Sequence, residues 1–148
     1  MDARIPLRVD LDRPTPPSRQ LVEQVLDAVA SGAAAAGDRL PSVRDAAAAA
    51  LVNPNTVARA WRDLETLGVV EGRAGTGVFV TAKGPDVARR ERRRETLGAL
   101  RRALAEALRA GHAGADILEE AHHAVARAVD RAGEAAPARA AEGKGGRR

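Results

Sequence analysis

The chain has 148 residues, enough for one domain with a small appendage or for two small domains. It has no cysteine, which excludes a disulfide framework and thiol chemistry, and no apolar run approaches the ~20 residues of a membrane span. The net charge of +4 is unevenly spread, since residues 1–82 carry nine Arg against ten Asp and Glu (net −1) and residues 83–148 carry fifteen Lys and Arg against ten (net +5). Any nucleic-acid reader in the first part must therefore focus a few arginines on one surface and cannot rely on bulk charge. The N-terminus lacks a signal-peptide core, so a cytoplasmic location is expected.

Residues 4–12 alternate apolar and charged positions, which predicts a short edge strand or extended arm with Ile5, Leu7, Val9 and Leu11 on one face. A Pro-rich turn over 13–17 precedes a helix to about Ser31, with Leu21, Val22, Val25, Leu26 and Val29 as its buried stripe and Gly32 as its stop. After a loop at 33–38, Arg39-Leu40 reads as a minimal strand.

The stretch from Leu40 to Leu67 reads as two short helices joined by a tight turn. Ser42 is placed to cap a helix starting at Val43, and Asp45, three residues on, to return the bond. Asn53-Pro54 ends that helix and starts the next, Asn53 as cap and Pro54 in the first turn, where a missing N–H costs nothing. Val57, Ala60, Trp61, Leu64 and Leu67 then form one apolar face, leaving Asn55, Thr56, Arg59, Arg62 and Asp63 outside. Short polar side chains at a helix start can approach base edges and phosphates. This is the outline of a helix-turn-helix. Gly68 should close the second helix, and Val69 to Glu71 and Gly77 to Thr81 read as two strands around the glycine-rich turn 72–76, a hairpin wing.

LPSVRD, VNPNTVARAW, DLETLGVV and GRAGTGVFV, in this order and spacing, resemble the signature of the GntR family of bacterial winged-helix regulators, and NPNTV with a short C-terminal region resembles its YtrA subfamily. The resemblance covers roughly residues 5–81. It implies a mainly α fold with a small β wing: a winged helix-turn-helix DNA-binding domain over 1–82 and a short two-helix dimerisation region. The expected DNA-binding residues are Ser42, Arg44, Asn53, Pro54, Asn55, Thr56, Arg59, Arg62, Arg73, Gly75 and Thr76, with Arg73 on phosphate or in the minor groove and Gly75-Thr76 offering backbone N–H groups. Four positions depart from the family pattern. Leu51 stands where the turn often has Gly, Ala46 and Ala50 stand where larger aliphatics are common, and Trp61 stands where the subfamily tends to have Tyr.

Residues 83–86, KGPD, read as a linker. Beyond it Leu97, Leu100, Leu104 and Leu108 form one helical stripe, 111–114 a turn, and Ile117, Leu118, Ala121, Val125 and Val129 a second. Two short amphipathic helices cannot hide their stripes alone, so the region 83–132 is expected to pair with a second copy through Leu97, Leu100, Leu104, Leu108, Ile117, Leu118 and Val125. Residues 133–148 lack periodicity and are expected to form a disordered tail. The arginines at 89, 90, 92, 93 and 94 could grip DNA phosphate, but a solvated helix face paired with Glu91 and Glu95 is the favoured reading. His112, Asp116, Glu119, His122 and His123 have no diagnostic metal spacing, and neither a metal nor a cofactor is expected. No nucleotide-binding or nucleophile motif is present, so no enzymatic activity is expected. The expected function is a homodimeric, sequence-specific regulator, a repressor binding a palindromic double-stranded DNA operator, with no membrane partner and an effector left unassigned. The alternatives are a winged helix that serves as a protein-interaction module or binds DNA without sequence preference.

Overall fold

The computed structural model describes residues 2, 3 and 5–135, with side chains to Arg131. Five helices and a two-stranded hairpin follow in the order α1 (Pro17–Ser31), α2 (Val43–Ala50), α3 (Pro54–Thr66), β1 (Val70–Arg73), β2 (Gly77–Val80), α4 (Gly84–Arg109) and α5 (Gly114–Ala135). This is a mainly helical chain with a small β wing. The chain forms two compact units, one ending at Leu97 and one beginning at Gly98.

In the first unit α1 contributes Leu21, Val22, Val25, Leu26 and Val29 to the core, and α3 contributes Val57, Ala60, Trp61 and Leu64. Both stripes repeat at three and four residues, so each helix buries one side. The small residues Ala46, Ala47 and Ala50 are the buried part of α2. Trp61 is also buried, and its indole N–H donates to the Pro41 carbonyl at 3.2 Å, tying α3 to the chain just ahead of α2.

The helix ends follow local chemistry. Ser42 Oγ accepts from the Asp45 N–H at 3.1 Å, but the Asp45 carboxylate bonds the Ser42 hydroxyl at 2.6 Å instead of reaching the Ser42 backbone. Asn53 Oδ1 accepts from the Asn55 N–H at 2.8 Å, and Gly32 and Gly68 adopt positive φ after α1 and α3. At the end of α2 the positive-φ position falls to Leu51 (φ 54°), whose side chain is 91% exposed. A left-handed leucine costs about 1–2 kcal/mol, and here no burial offsets it.

The N-terminal arm lies along α1, but not as a strand. Gln24 exchanges two hydrogen bonds with the backbone of Arg8 (2.8 and 2.6 Å), and Gln20 exchanges two with that of Asp10 (3.0 and 2.7 Å). Four residues of helix rise about 6 Å and two residues of extended chain about 6.8 Å, so glutamines at i and i+4 can serve alternate residues of the arm. Gln20, 1% exposed, also donates to the Thr15 carbonyl at 2.8 Å, so both of its amide N–H groups are used. The expected four-residue apolar face is shorter than the pattern suggested. Leu7 is buried and Ile5 and Val9 half-buried, while Leu11 is 80% exposed because the chain turns there, with the Asp12 N–H bonded to Asp10 Oδ1 at 3.0 Å.

The hairpin is antiparallel with Val70 opposite Val80 and Arg73 opposite Gly77. Arg39 adds an isolated bridge to Phe79 and another to Asp2, so the predicted minimal strand widens the wing's base.

The expected linker at Lys83–Asp86 is instead a helix start. Gly84 opens α4, its N–H donating to the Thr81 carbonyl at 2.9 Å, and Ala88 is fully buried. Pro85 suits a first helical turn as well as a linker, which is why composition misled. A Cβ on Gly84 would lie 2.6 Å from the Val69 carbonyl oxygen and 2.9 Å from Val80 Cγ1, so only glycine lets α4 grow directly from the wing. The first half of α4 thus belongs with the winged-helix unit, past the expected boundary at 82.

In the second unit the end of α4 and α5 form a helical hairpin around Gly111 (φ 91°). A groove of about 500 Å³ between them is lined by Leu100, Leu104, Ala107, Ile117 and Ala121. The expected single stripe of α5 is therefore split, with Ile117 toward α4 and Leu118, Val125 and Val129 exposed. Helix α5 continues to Ala135, past the expected tail boundary at 133, and residues 136–148 of that expected tail lie outside the described residues.

Two substitutions should move stability in opposite directions in urea melts. Leu51→Gly should stabilise the first unit by about 0.5–1 kcal/mol, the relieved left-handed strain less the entropy glycine adds to the unfolded chain. Gly84→Ala should destabilise it by about 1–3 kcal/mol through overpacking against a backbone oxygen.

Candidate nucleic-acid interface

The start of α3 is held in place by its own cap and by the core beneath it. The Asn53 cap fixes where the helix begins, and burial of Val57, Ala60, Trp61 and Leu64 turns Asn55, Arg59 and Arg62 outward, with Thr56 half-buried. A shallow groove of about 400 Å³ runs between this helix start and that of α1, lined by Pro16, Pro17, Ser18, Asn55, Thr56 and Arg59. Among the described residues the side chains of Asn55, Thr56, Arg59 and Arg62 have no hydrogen-bond or ion-pair partner. Arg44, in the first turn of α2, is also exposed and has no partner among the described residues. Free donors beside an unobstructed helix start form a surface that can receive an external partner rich in acceptors and negative charge.

Other expected site residues are already occupied. Ser42 Oγ and Asn53 Oδ1 serve the caps, and Pro54 brings no donor, so these three shape the helix starts. In the wing, Arg73 is bonded to Glu71 Oε1 through Nε (3.0 Å) and a terminal nitrogen (2.8 Å), and its guanidinium lies 4.5 Å from the centre of the Phe79 ring. Gly75, at φ 70°, takes the third position of the turn, where a side chain would be strained. The Thr76 N–H donates to the Arg73 carbonyl at 3.0 Å, and its hydroxyl donates to the same oxygen at 3.1 Å. The expectation that Gly75-Thr76 presents two backbone donors is therefore corrected, because the turn itself consumes that of Thr76.

Two features of this surface had weak signals in the sequence. Pro16 to Ser18 line the groove opposite α3, though only the Pro-rich turn pointed to them. Arg39 lies against the wing, close enough that a Cβ on Gly77 would meet its Nε at 2.7 Å, and it has no acidic partner among the described residues. Gly77, the second glycine in GTG, thus makes room for a second arginine side chain against the wing.

Residues 17–80 match the profile of the gntR family of bacterial regulatory proteins. The chain is 43% identical over 102 residues to the HTH-type transcriptional regulator Rv1152 of Mycobacterium tuberculosis, covering 68% of this chain and 84% of that protein. The chain belongs to the GntR family. A second relative is the HTH-type transcriptional repressor YtrA of Bacillus subtilis, 35% identical over 75 residues, which are 51% of this chain and 58% of YtrA. Among solved structures, a transcriptional regulator from Oenococcus oeni superposes with a TM-score of 0.61 at 31% identity, covering 79% of this chain and 97% of its own. The groove, the exposed face of α3 and the wing therefore belong to the DNA-binding winged helix-turn-helix domain of a GntR-family transcription regulator with YtrA among its relatives.

Elsewhere three of the five arginines between positions 89 and 94 on α4 are paired. Arg92 reaches Asp27 on α1 (2.6 and 3.2 Å) and Glu95 (2.9 Å), Arg89 reaches Asp86 (2.6 Å), and Arg94 pairs with Glu91. The hydrogen bond and charge of Glu91 hold the Arg94 guanidinium above its ordinary pKa. Arg90 and Arg93 have no acidic partner among the described residues. The His112 to His123 residues form no group that could hold a metal ion among the described residues, and no helix there is long and apolar enough to cross a membrane.

The Glu71 pairing gives a direct expectation. Glu71→Gln should release Arg73 and remove a negative charge from the wing, strengthening DNA binding and steepening the salt dependence by about one phosphate equivalent, measured by fluorescence anisotropy across a chloride series.

Proposed function

We propose that the chain is a homodimeric repressor that reads a two-fold-symmetric operator by placing the start of α3 in the major groove. The observation that carries this reading is the set of donors left unpartnered among the described residues on one face, Asn55, Thr56, Arg59 and Arg62 on α3 with Arg44 beside them, within residues 1–82, whose net charge is −1. Asn55 and Thr56 reach base edges, Arg59 and Arg62 take base or phosphate contacts farther along the groove, and the start of α1 at Pro16 to Ser18 follows one backbone. The wing lies on the flank, where Arg73, Gly75 and Arg39 meet phosphate or the minor groove.

The dimer is supported by the second unit, whose hairpin leaves Leu100, Leu108, Leu118, Val125 and Val129 exposed. The half-buried Leu104 and Ile117 add to that apolar surface, and a second copy is the economical cover for it. Two-fold symmetry then sets half-sites about 10 bp apart, centre to centre, or multiples of that. The name of YtrA supports repression, and DNA in the cytoplasm is the target.

Selection of bound genomic fragments with the purified chain at about 150 mM salt should yield a two-fold-symmetric consensus. Enrichment without a motif would leave a sequence-neutral binder, and none at all would favour a protein partner for the winged helix. Once a consensus is in hand, Arg44→Ala should lose about 1–3 kcal/mol of operator binding and relax preference at one position per half-site. An unchanged affinity and consensus would remove Arg44 from the reading surface.

A further inference from the structure

A concavity of about 610 Å³ lies between the end of α1 and the first turns of α4, lined by Ala30, Asp86, Arg89, Arg90, Arg92 and Arg93. Two of its four arginines are spent. Arg92 is held by Asp27 and Glu95, and Glu95 is shared with Arg19 of α1, so this part of α4 is fastened to α1. Arg89 is bonded to Asp86. Arg90 and Arg93, exposed and three residues apart on one helix face, meet no carboxylate from α4 or α1 among the described residues. Like charges at this spacing repel, and Arg93 also stands four residues from Arg89. A multivalent oxyanion would relieve that repulsion and engage two guanidinium forks, each suited to two oxygens.

We propose that Arg90 and Arg93 form a phosphate-binding site at this concavity, separate from the DNA-reading face. The separation follows from α1 itself. Pro17 lines the reading groove and Ala30 lines this concavity, thirteen residues and so about 20 Å farther along the helix. The stems of the arginines and Ala30 give the site an apolar floor, and the Asp27–Arg92–Glu95 lattice pre-orders the helix that presents the forks. Its ligand carries a phosphoryl group, supplied by a free phosphorylated small molecule or by the backbone of DNA flanking the operator.

The test uses the full chain, with Arg90→Gln/Arg93→Gln as the site variant, Arg90→Gln alone as a milder one, and Arg101→Gln/Arg102→Gln as a control elsewhere on α4. Calorimetric titration with inorganic pyrophosphate, at ionic strength held constant with chloride, should show saturable binding that weakens by on the order of tenfold in the site variant and is unchanged in the control. In parallel, affinity for a short duplex and for one extended on both sides separates the sources. If extension strengthens binding and the site variant removes that gain, lowering the salt slope by about two, the phosphate comes from the DNA flank. If extension is neutral and pyrophosphate binds, the ligand is a free anion. The proposal is overturned if pyrophosphate binding is absent or insensitive to the site variant and extension acts equally on wild type and variant. The pyrophosphate arm needs no operator, so its outcome is independent of the operator-reading proposal.

Discussion

The packing of α3 against α1 is the contact on which the rest of the molecule depends. Neither helix is long enough to be stable alone in water, and each presents a single apolar stripe that must be covered. Val57, Ala60, Trp61 and Leu64 meet the core containing Leu21, Val25 and Leu26, and burying one side of α3 obliges Asn55, Arg59 and Arg62 to face solvent. The reading surface is thus the complement of the core. A substitution that rotates α3 would spoil both, since helical neighbours at three and four residues cannot change faces independently.

Around that pair the chain spends its polar groups on position. Gln20 and Gln24 hold the N-terminal arm to α1 and fix the Thr15 to Pro17 turn, whose far side lines the groove. The Trp61 indole ties α3 to Pro41, and Asp27 near the end of α1 and Arg19 in its first turn hold Arg92 and Glu95, fastening α4 along α1. Solvent-accessible pairs of this kind contribute little stability individually, but a connected set converts loose side chains into a defined orientation. On the reading face, by contrast, the donors have no internal partners among the described residues.

The second unit follows a different logic. Its hairpin encloses a groove with small and aliphatic residues while Leu118 remains 72% exposed, so its two helices do not complete a core by themselves. Leucine spacing on α4 predicted a helix correctly. On α5 the i, i+3, i+4 pattern merged two faces, because Ile117 and Leu118 are neighbours in sequence yet point about 100° apart.

Short-range chemistry made much of this protein readable in the sequence. The Ser42 and Asn53 caps, the Pro54 start, the Gly32 and Gly68 stops and the periodicity of α1 and α3 are decided within a turn or two of the residue concerned. The outward polar face of α3 follows from the same arithmetic. Features that depend on distant backbone escaped it. Gly84 resembles a linker glycine until the Val69 carbonyl is seen 2.6 Å from where its Cβ would stand. Gln20 and Gln24 look like ordinary surface residues until the arm comes to lie beside them, and Arg73 and the N–H of Thr76 look free until the hairpin closes upon them. Local propensity and periodicity act along the chain, so the sequence by itself determined the helices and which side of each is apolar. Only the tertiary structure decided which donors remain available, because that depends on acceptors brought close by folding.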